Sequence, residues 1–316
     1  MSYLSLGFWR MRLTSELNLA FMVERLYGPA HRVREDFYVV NCICTRVASA
    51  FLETYHHTYT QSTTMPPTLV LVHGAWHSPK HFEPTTKILV SHGYKVVGVD
   101  CPSTNNTRTL STFEDDCEAV RSAVLRELDT ADVLVAAHSY GGAVATSALQ
   151  GLSSTARSGA GHATSVIGIA YICAAVLPAG ITFLDAVGGK SLPIHDLSGD
   201  DGFVRVGAPG PEHYFYNDLS SSEAKHWVSL LRPQSWVAVT SGVVTSEACM
   251  EVPAHYLFCS KDQALAIEIQ KGMVAGAEER SGKSFRTEEL ECSHSPFLSM
   301  PEETAEFLRR SAGEAC

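Results

Sequence analysis

From residue 68 onward, short apolar runs alternate with stretches whose apolar residues recur at helical spacing. Thr68–His73, Lys95–Asp100, Asp132–Ala137, Ser165–Ala174, Ala254–Cys259 and Phe285–Leu290 are rich in Val, Ile, Leu, Ala and aromatic residues and predict strands. His81–His92, Thr112–Leu128, Gly141–Gln150, Ala264–Ala275 and Pro301–Arg310 predict the helices between them. Apolar strands interleaved with amphipathic helices imply an α/β class chain, with a mostly parallel sheet and helices on both faces.

The alternation breaks between Pro178 and Pro253, in a segment of Gly/Pro turns and many aromatics. An insertion of this size is usually functional, and at about 178–253 it predicts a cap over a site. The glycines of Gly159-Ala-Gly-His162 read as a flexible connector rather than a phosphate loop.

The first 64 residues differ again, with six Arg, no Lys and five acids. Leu17–Tyr27 has helix-like apolar spacing, and the segment ends in a Thr/Ser/Gln-rich stretch. Arg10, Arg12 and Glu16 interrupt any secretory apolar run, and the acids argue against a mitochondrial presequence. The expectation is an N-terminal extension over 1–64 and one domain over 65–316, opening at Met65-Pro-Pro.

Composition narrows the function. With 24 Lys+Arg against 34 Asp+Glu the net charge is −10, which lacks the basic field of a nucleic-acid binder. The longest apolar stretch, Val166–Leu177, falls well short of the ~20 residues that span a bilayer. The nine cysteines are scattered, with no Cys-x-x-Cys, as expected of core residues in a reducing, cytoplasmic setting.

Chemistry is concentrated around Asp132-Val-Leu-Val-Ala-Ala-His-Ser139-Tyr-Gly-Gly-Ala. An apolar strand runs into a serine flanked by small residues and then directly into an Ala-rich helix. So tight a strand-to-helix turn strains the serine backbone, permits only small neighbours, and lifts the hydroxyl above the sheet. Ala137 stands where the first Gly of G-x-S-x-G is usual. The plain alternative is an ordinary N-cap serine.

A serine nucleophile needs a base and the base an orienting acid, in the chain order Ser, acid, His. The strand ending Leu257-Phe-Cys-Ser-Lys-Asp262 offers the acid, and Glu289-Leu-Glu-Cys-Ser-His294 the base. Asp262 could instead cap a helix and His294 lie in a surface loop; Glu291 and Asp185 are weaker candidates for the acid. An oxyanion needs preorganised donors. The Ala75 N–H in His73-Gly-Ala-Trp-His77 and the Tyr140 N–H can supply them, with Gly74 allowing close approach. Gly74, Trp76, His77, Trp227 and Trp236 are candidate substrate contacts. His73, His77 and His81 need not share a face, because Gly74 interrupts any helix, so no metal site is expected.

Together these segments resemble the α/β-hydrolase fold, in its branch of small methylesterases, hydroxynitrile lyases and fungal hydrolases. The likeness covers about 66–312. It rests on Leu71-Val-His-Gly-Ala-Trp-His77, Gly93-Tyr-Lys-Val, His138-Ser-Tyr-Gly-Gly142, Leu231-Arg-Pro-Gln-Ser235, Cys259-Ser-Lys-Asp262 and His294. The resemblance implies a triad of Ser139, Asp262 and His294 with oxyanion donors at Ala75 and Tyr140. Lyases of the branch carry Thr and Lys where this chain has Gly74 and Ser295, so hydrolysis is expected; the aromatic-rich cap suggests a small hydrophobic or aromatic ester or lactone, and the plain alternative is that its aromatics pack the cap onto the core. The fungal side of the same resemblance implies a role in secondary metabolism. A lyase, dehydratase or cyclase on the same triad, or a ligand receptor, is the alternative. The expected partner is a small-molecule substrate, with no nucleic acid, membrane, metal or cofactor; a homodimer is allowed.

Overall fold

The computed structural model describes residues 66–105, 111–199 and 201–316. The expectations for residues 1–64 lie outside the described residues. Six strands form one parallel sheet: β1 (Thr68–Val72), β2 (Val96–Val99), β3 (Val133–His138), β4 (Val166–Ile172), β8 (Ala254–Cys259) and β9 (Arg286–Leu290), in the order β2-β1-β3-β4-β8-β9. The cap supplies β5 (His195–Asp196), β6 (Phe203–Val206) and β7 (Gln234–Ser235), a small antiparallel sheet in the order β5-β6-β7.

Burial follows strand position. Every residue of β1, β3 and β8 is buried, while the edge strand β9, Arg-Thr-Glu-Glu-Leu, is exposed or half-buried along its length. Central strands covered on both faces are apolar along most of their length; edge strands need not be. Successive residues point to opposite faces. Val70, Val72, Val133 and Val135 therefore join one core layer, and Leu69, Leu71, Leu134 and Ala136 the other. Helices Phe113–Glu127, Gly141–Ala148 and Ile267–Ser281 contribute Val120, Val124, Val144 and Val274 to the first layer. Helices Glu83–Ser91 and Pro301–Ser311 contribute Leu89, Phe307 and Leu308 to the second. Each fully buried valine or leucine is worth about 1.5–3 kcal/mol of hydrophobic stabilisation.

Two local expectations change. His81–His92 divides into a 3-10 turn, Pro79–Phe82, and the helix Glu83–Ser91, each with Pro in its first turn; proline is at ease there because its missing N–H has no helical partner to lose. The connector read around Gly159–His162 begins as a helix, Ser154–Gly159, whose first turn is capped by the Ser153 hydroxyl. The buried Arg157 closes it by donating from Nε to the Thr164 carbonyl at 2.6 Å.

Strand order reverses between β1 and β3: the chain passes from β1 outward to β2 and then returns to β3 on the other side of β1. At such a switch point the loops beyond the carboxyl ends of the two strands diverge and leave a crevice. The loop after β1 is His73–His77 and the turn after β3 holds Ser139.

Candidate active site

Ser139 sits between β3 and the helix Gly141–Ala148 with φ +52°, in the left-handed region that a residue with a Cβ rarely adopts. The surroundings hold it there. Its N–H donates to Ile172 O, and its carbonyl accepts from the Gly142 and Ala175 N–H groups at 3.0 Å each. The turn is packed against the ends of two neighbouring strands. A Cβ on Gly141 would lie 2.5 Å from His73 O, and one on Gly142 would lie 2.5 Å from Ala175 O. Trp76 and Cys173, just beyond β1 and β4, also have positive φ. Three strained non-glycine residues thus gather at the carboxyl end of the sheet, where binding and chemistry concentrate.

The loop after β1 is braced from both sides. The Cys101 N–H donates to His73 Nε2 at 3.1 Å, so His73 Nδ1 carries the proton it gives to Gly74 O. His77 Nδ1 lies 2.8 Å from Ala75 O, and His77 Nε2 lies 3.1 Å from the Tyr216 hydroxyl of the cap. The Trp76 indole N–H donates to Val204 O on β6, and Trp76 O accepts from the Arg232 N–H. Burial lowers the pKa of His73 and of His81 to about 4 and that of His77 well below its usual value, so all three are neutral props. His81 Nδ1 accepts from the Ser78 N–H, and its Nε2 lies 3.3 Å from Trp227 O. With the Ala75 carbonyl turned to His77, the Ala75 N–H is left without a hydrogen-bond partner among the described residues, as is the Tyr140 N–H.

Asp262 follows β8 and His294 follows β9. His294 Nδ1 lies 2.6 Å from Asp262 Oδ2, both side chains buried. Asp262 Oδ1 accepts from the Ala264 and Leu265 N–H groups at 2.8 Å, and Oδ2 also accepts from Gln270 Nε2 at 3.2 Å. These donors hold the carboxylate in one orientation, which fixes the proton on His294 Nδ1 and leaves Nε2 for chemistry. The backbone of His294 is held as well. His138 Nε2 and Cys173 Sγ approach its carbonyl at 2.9 and 3.3 Å. His138, Cys173 and His294 have the side-chain types of a metal cluster, but here the first two serve as props for the third. The weaker acid candidates fall elsewhere: Glu291 pairs with Lys261 on the surface, and Asp185, inside the short helix Phe183–Ala186, accepts from the N–H of its N-cap Thr182.

Ser139, His294, Ala75 and Tyr140 line one cavity of about 260 Å³ whose wall is mostly apolar. Of the residues expected to contact substrate, Trp76 lines it as well. His77, Trp227 and Trp236 do not: His77 braces the loop, Trp227 packs on His81 and Trp236 on His195. Gly74 acts by having no side chain, since a Cβ there would sit 2.7 Å from Ser139 Cβ. The cap contributes Phe183 and Phe215 to the wall in place of the tryptophans.

Asp116, on the buried face of the helix Phe113–Glu127, went unrecognised in the sequence. Its carboxylate accepts from the Ser103 N–H at 2.9 Å, the Ser103 hydroxyl at 2.5 Å and the Tyr140 hydroxyl at 3.0 Å. Gln234 on β7 donates to Ser103 Oγ at 2.7 Å and joins the cap to this network. An acid at the position of the helix stripe shared with Phe113, Val120 and Val124 was the available signal. Burial raises the Asp116 pKa to about 6, against the hydrogen bonds that lower it. The folded state therefore keeps this proton between about pH 4 and 6 while the unfolded chain releases it, so the contribution to stability falls as pH rises through that window. Urea unfolding of wild type and Asp116→Asn should show the difference moving in favour of the variant by about 2 kcal/mol between pH 4 and 7. A difference independent of pH would mean that the carboxyl titrates normally.

The alpha/beta hydrolase family profile matches residues 69–307. Alpha/beta hydrolase nvfD of Aspergillus novofumigatus is 28% identical over 254 residues, 79% of this chain and 98% of that protein. Among solved structures, an extracellular alpha/beta-hydrolase from a Paenibacillus species superposes with a TM-score of 0.62 at 18% identity, covering 78% of this chain and 99% of that one. Polyneuridine aldehyde esterase superposes with the same score at 19% identity, covering 78% and 99%.

Proposed function

Because the chain belongs to the alpha/beta hydrolase family, we propose that it is a cofactor-free serine hydrolase acting on a small hydrophobic or aromatic carboxylic ester or lactone. The observation that carries this reading is the convergence on one cavity of three parts. These are Ser139 in its left-handed turn, His294 held by Asp262, and two uncommitted backbone N–H groups.

In the proposed course, His294 Nε2 takes the Ser139 proton as the hydroxyl oxygen attacks the ester carbonyl. The Ala75 and Tyr140 N–H groups receive the oxyanion, an interaction typically worth about 3–4 kcal/mol per donor. His294 then gives the proton to the leaving alkoxide, and the acyl group stays on Ser139. Water, deprotonated by His294, releases the acid. The name of the structural relative polyneuridine aldehyde esterase supports an ester as substrate. The fungal relative nvfD, with the predominantly apolar wall, supports a natural-product ester of secondary metabolism. Among the described residues seven cysteines are free thiols, which supports a cytoplasmic setting, and no described helix is long and apolar enough to cross a membrane.

Incubation with a fluorophosphonate followed by intact-protein mass measurement tests the nucleophile. A single adduct on the wild type that is absent from Ser139→Ala is the expected result. An unlabelled, folded wild type would overturn the reading and favour a ligand receptor.

A further inference from the structure

The cap's contribution to the cavity wall is apolar except at one residue. Among the described cap residues lining the cavity, including Leu192, Ile194, Phe215 and Val239, only His195 on β5 carries a polar side-chain atom. Its ring lies between Trp76, with centroids 6.1 Å apart, and Trp236, at 5.1 Å in a T-shaped contact. The Leu192 N–H donates to His195 Nδ1 at 3.1 Å. A nitrogen that accepts a hydrogen bond from a backbone amide carries a lone pair, so the proton of the neutral ring is on Nε2. Burial lowers the His195 pKa to about 4, which keeps the ring neutral at physiological pH. Nε2 has no hydrogen-bond partner among the described residues, and it is not among their fully buried unpartnered atoms.

We propose that the His195 Nε2–H is a recognition donor, and that the substrate is a neutral oxygenated ester carrying a carbonyl oxygen on its non-reacting part. This rests on the esterase reading of the same cavity. A neutral donor in an apolar wall suits an uncharged acceptor, because an anion would lose its hydration there and Arg280, which also lines the cavity, is already paired with Glu247 at 2.9 Å. The catalytic groups engage one carbonyl while His195 engages a second, so the two donors set which ester in a polyfunctional molecule is presented to Ser139.

Matched p-nitrophenyl esters test this: pentanoate against 4-oxopentanoate, hexanoate against 5-oxohexanoate, and heptanoate against 6-oxoheptanoate. The wild type should prefer the keto member of at least one pair by about tenfold in kcat/KM, carried mainly by KM. His195→Phe keeps a ring between the two tryptophans and should abolish that preference, lowering kcat/KM on the preferred keto ester about tenfold more than on its plain partner. His195→Gln, which returns a donor, should restore it. Equal rates on both members of every pair, or an equal loss on both in His195→Phe, would overturn the recognition role and leave the esterase standing. A wild type that turns over none of the six esters would overturn the esterase reading and the recognition role with it.

Discussion

Asp262→Asn should lower kcat by about 10⁴-fold in a protein that still folds. The carboxylate does more than neutralise charge. Asn can keep one oxygen facing the Ala264 and Leu265 N–H groups, which occupy Oδ1 in the native chain. Its amide nitrogen then replaces Oδ2, which lies 2.6 Å from His294 Nδ1 and 3.2 Å from Gln270 Nε2. A donor in that place forces His294 Nδ1 to accept. The ring proton moves to Nε2, where it prevents the ring from taking the Ser139 proton. The new contact with Gln270 sets donor against donor and costs about 1–3 kcal/mol of stability. Steady-state rates at saturating substrate, with a thermal melt of the same preparation, check both parts. Activity within tenfold of wild type would mean that Asp262 does not orient the base.

Gly141→Ala should destabilise the domain by about 3 kcal/mol and remove activity as well. Helix propensity alone gives the opposite sign, since alanine in a helix is favoured over glycine by about 1 kcal/mol. The cause is space. The added Cβ would lie 2.5 Å from His73 O and 2.8 Å from Val72 O. Both are backbone atoms at the end of β1, where Val72 pairs with Ala137 of β3 in register. They cannot withdraw without carrying the Ala75 N–H away from the place where an oxyanion would form. Overpacking of this kind costs about 1–3 kcal/mol and sometimes more. Urea unfolding measures the first effect and ester turnover the second; a stabilised, active variant would contradict the packing described here.

Much of the candidate site was legible because its signals are local. The serine turn is written in fourteen consecutive residues, Asp132–Ala145, where an apolar strand, small flanking residues and an Ala-rich helix follow one another. Asp262 and His294 were legible by position, each just beyond a buried or pattern-bearing strand, even though 32 residues separate them. The cap tryptophans were open to two readings. Trp227 and Trp236 are large and apolar, but a large apolar side chain serves equally well to pack a cap onto a core, and here they pack on His81 and His195.

The sequence by itself determined the alternation of strands and helices, the parallel sheet they imply and the chain order of Ser139, Asp262 and His294. Those follow from side-chain periodicity and from which small residues a tight turn tolerates, both of which act over a few residues. Only the tertiary structure decided how the loop after β1 is held, which aromatics reach the cavity and which ring nitrogen of His195 bears the proton. The contacts responsible join Trp76 to Val204 across 128 residues, His77 to Tyr216 across 139 and Ser103 to Gln234 across 131. Such contacts depend on how the cap settles on the sheet, and a pairing between residues so far apart in the chain leaves no local pattern of spacing to read.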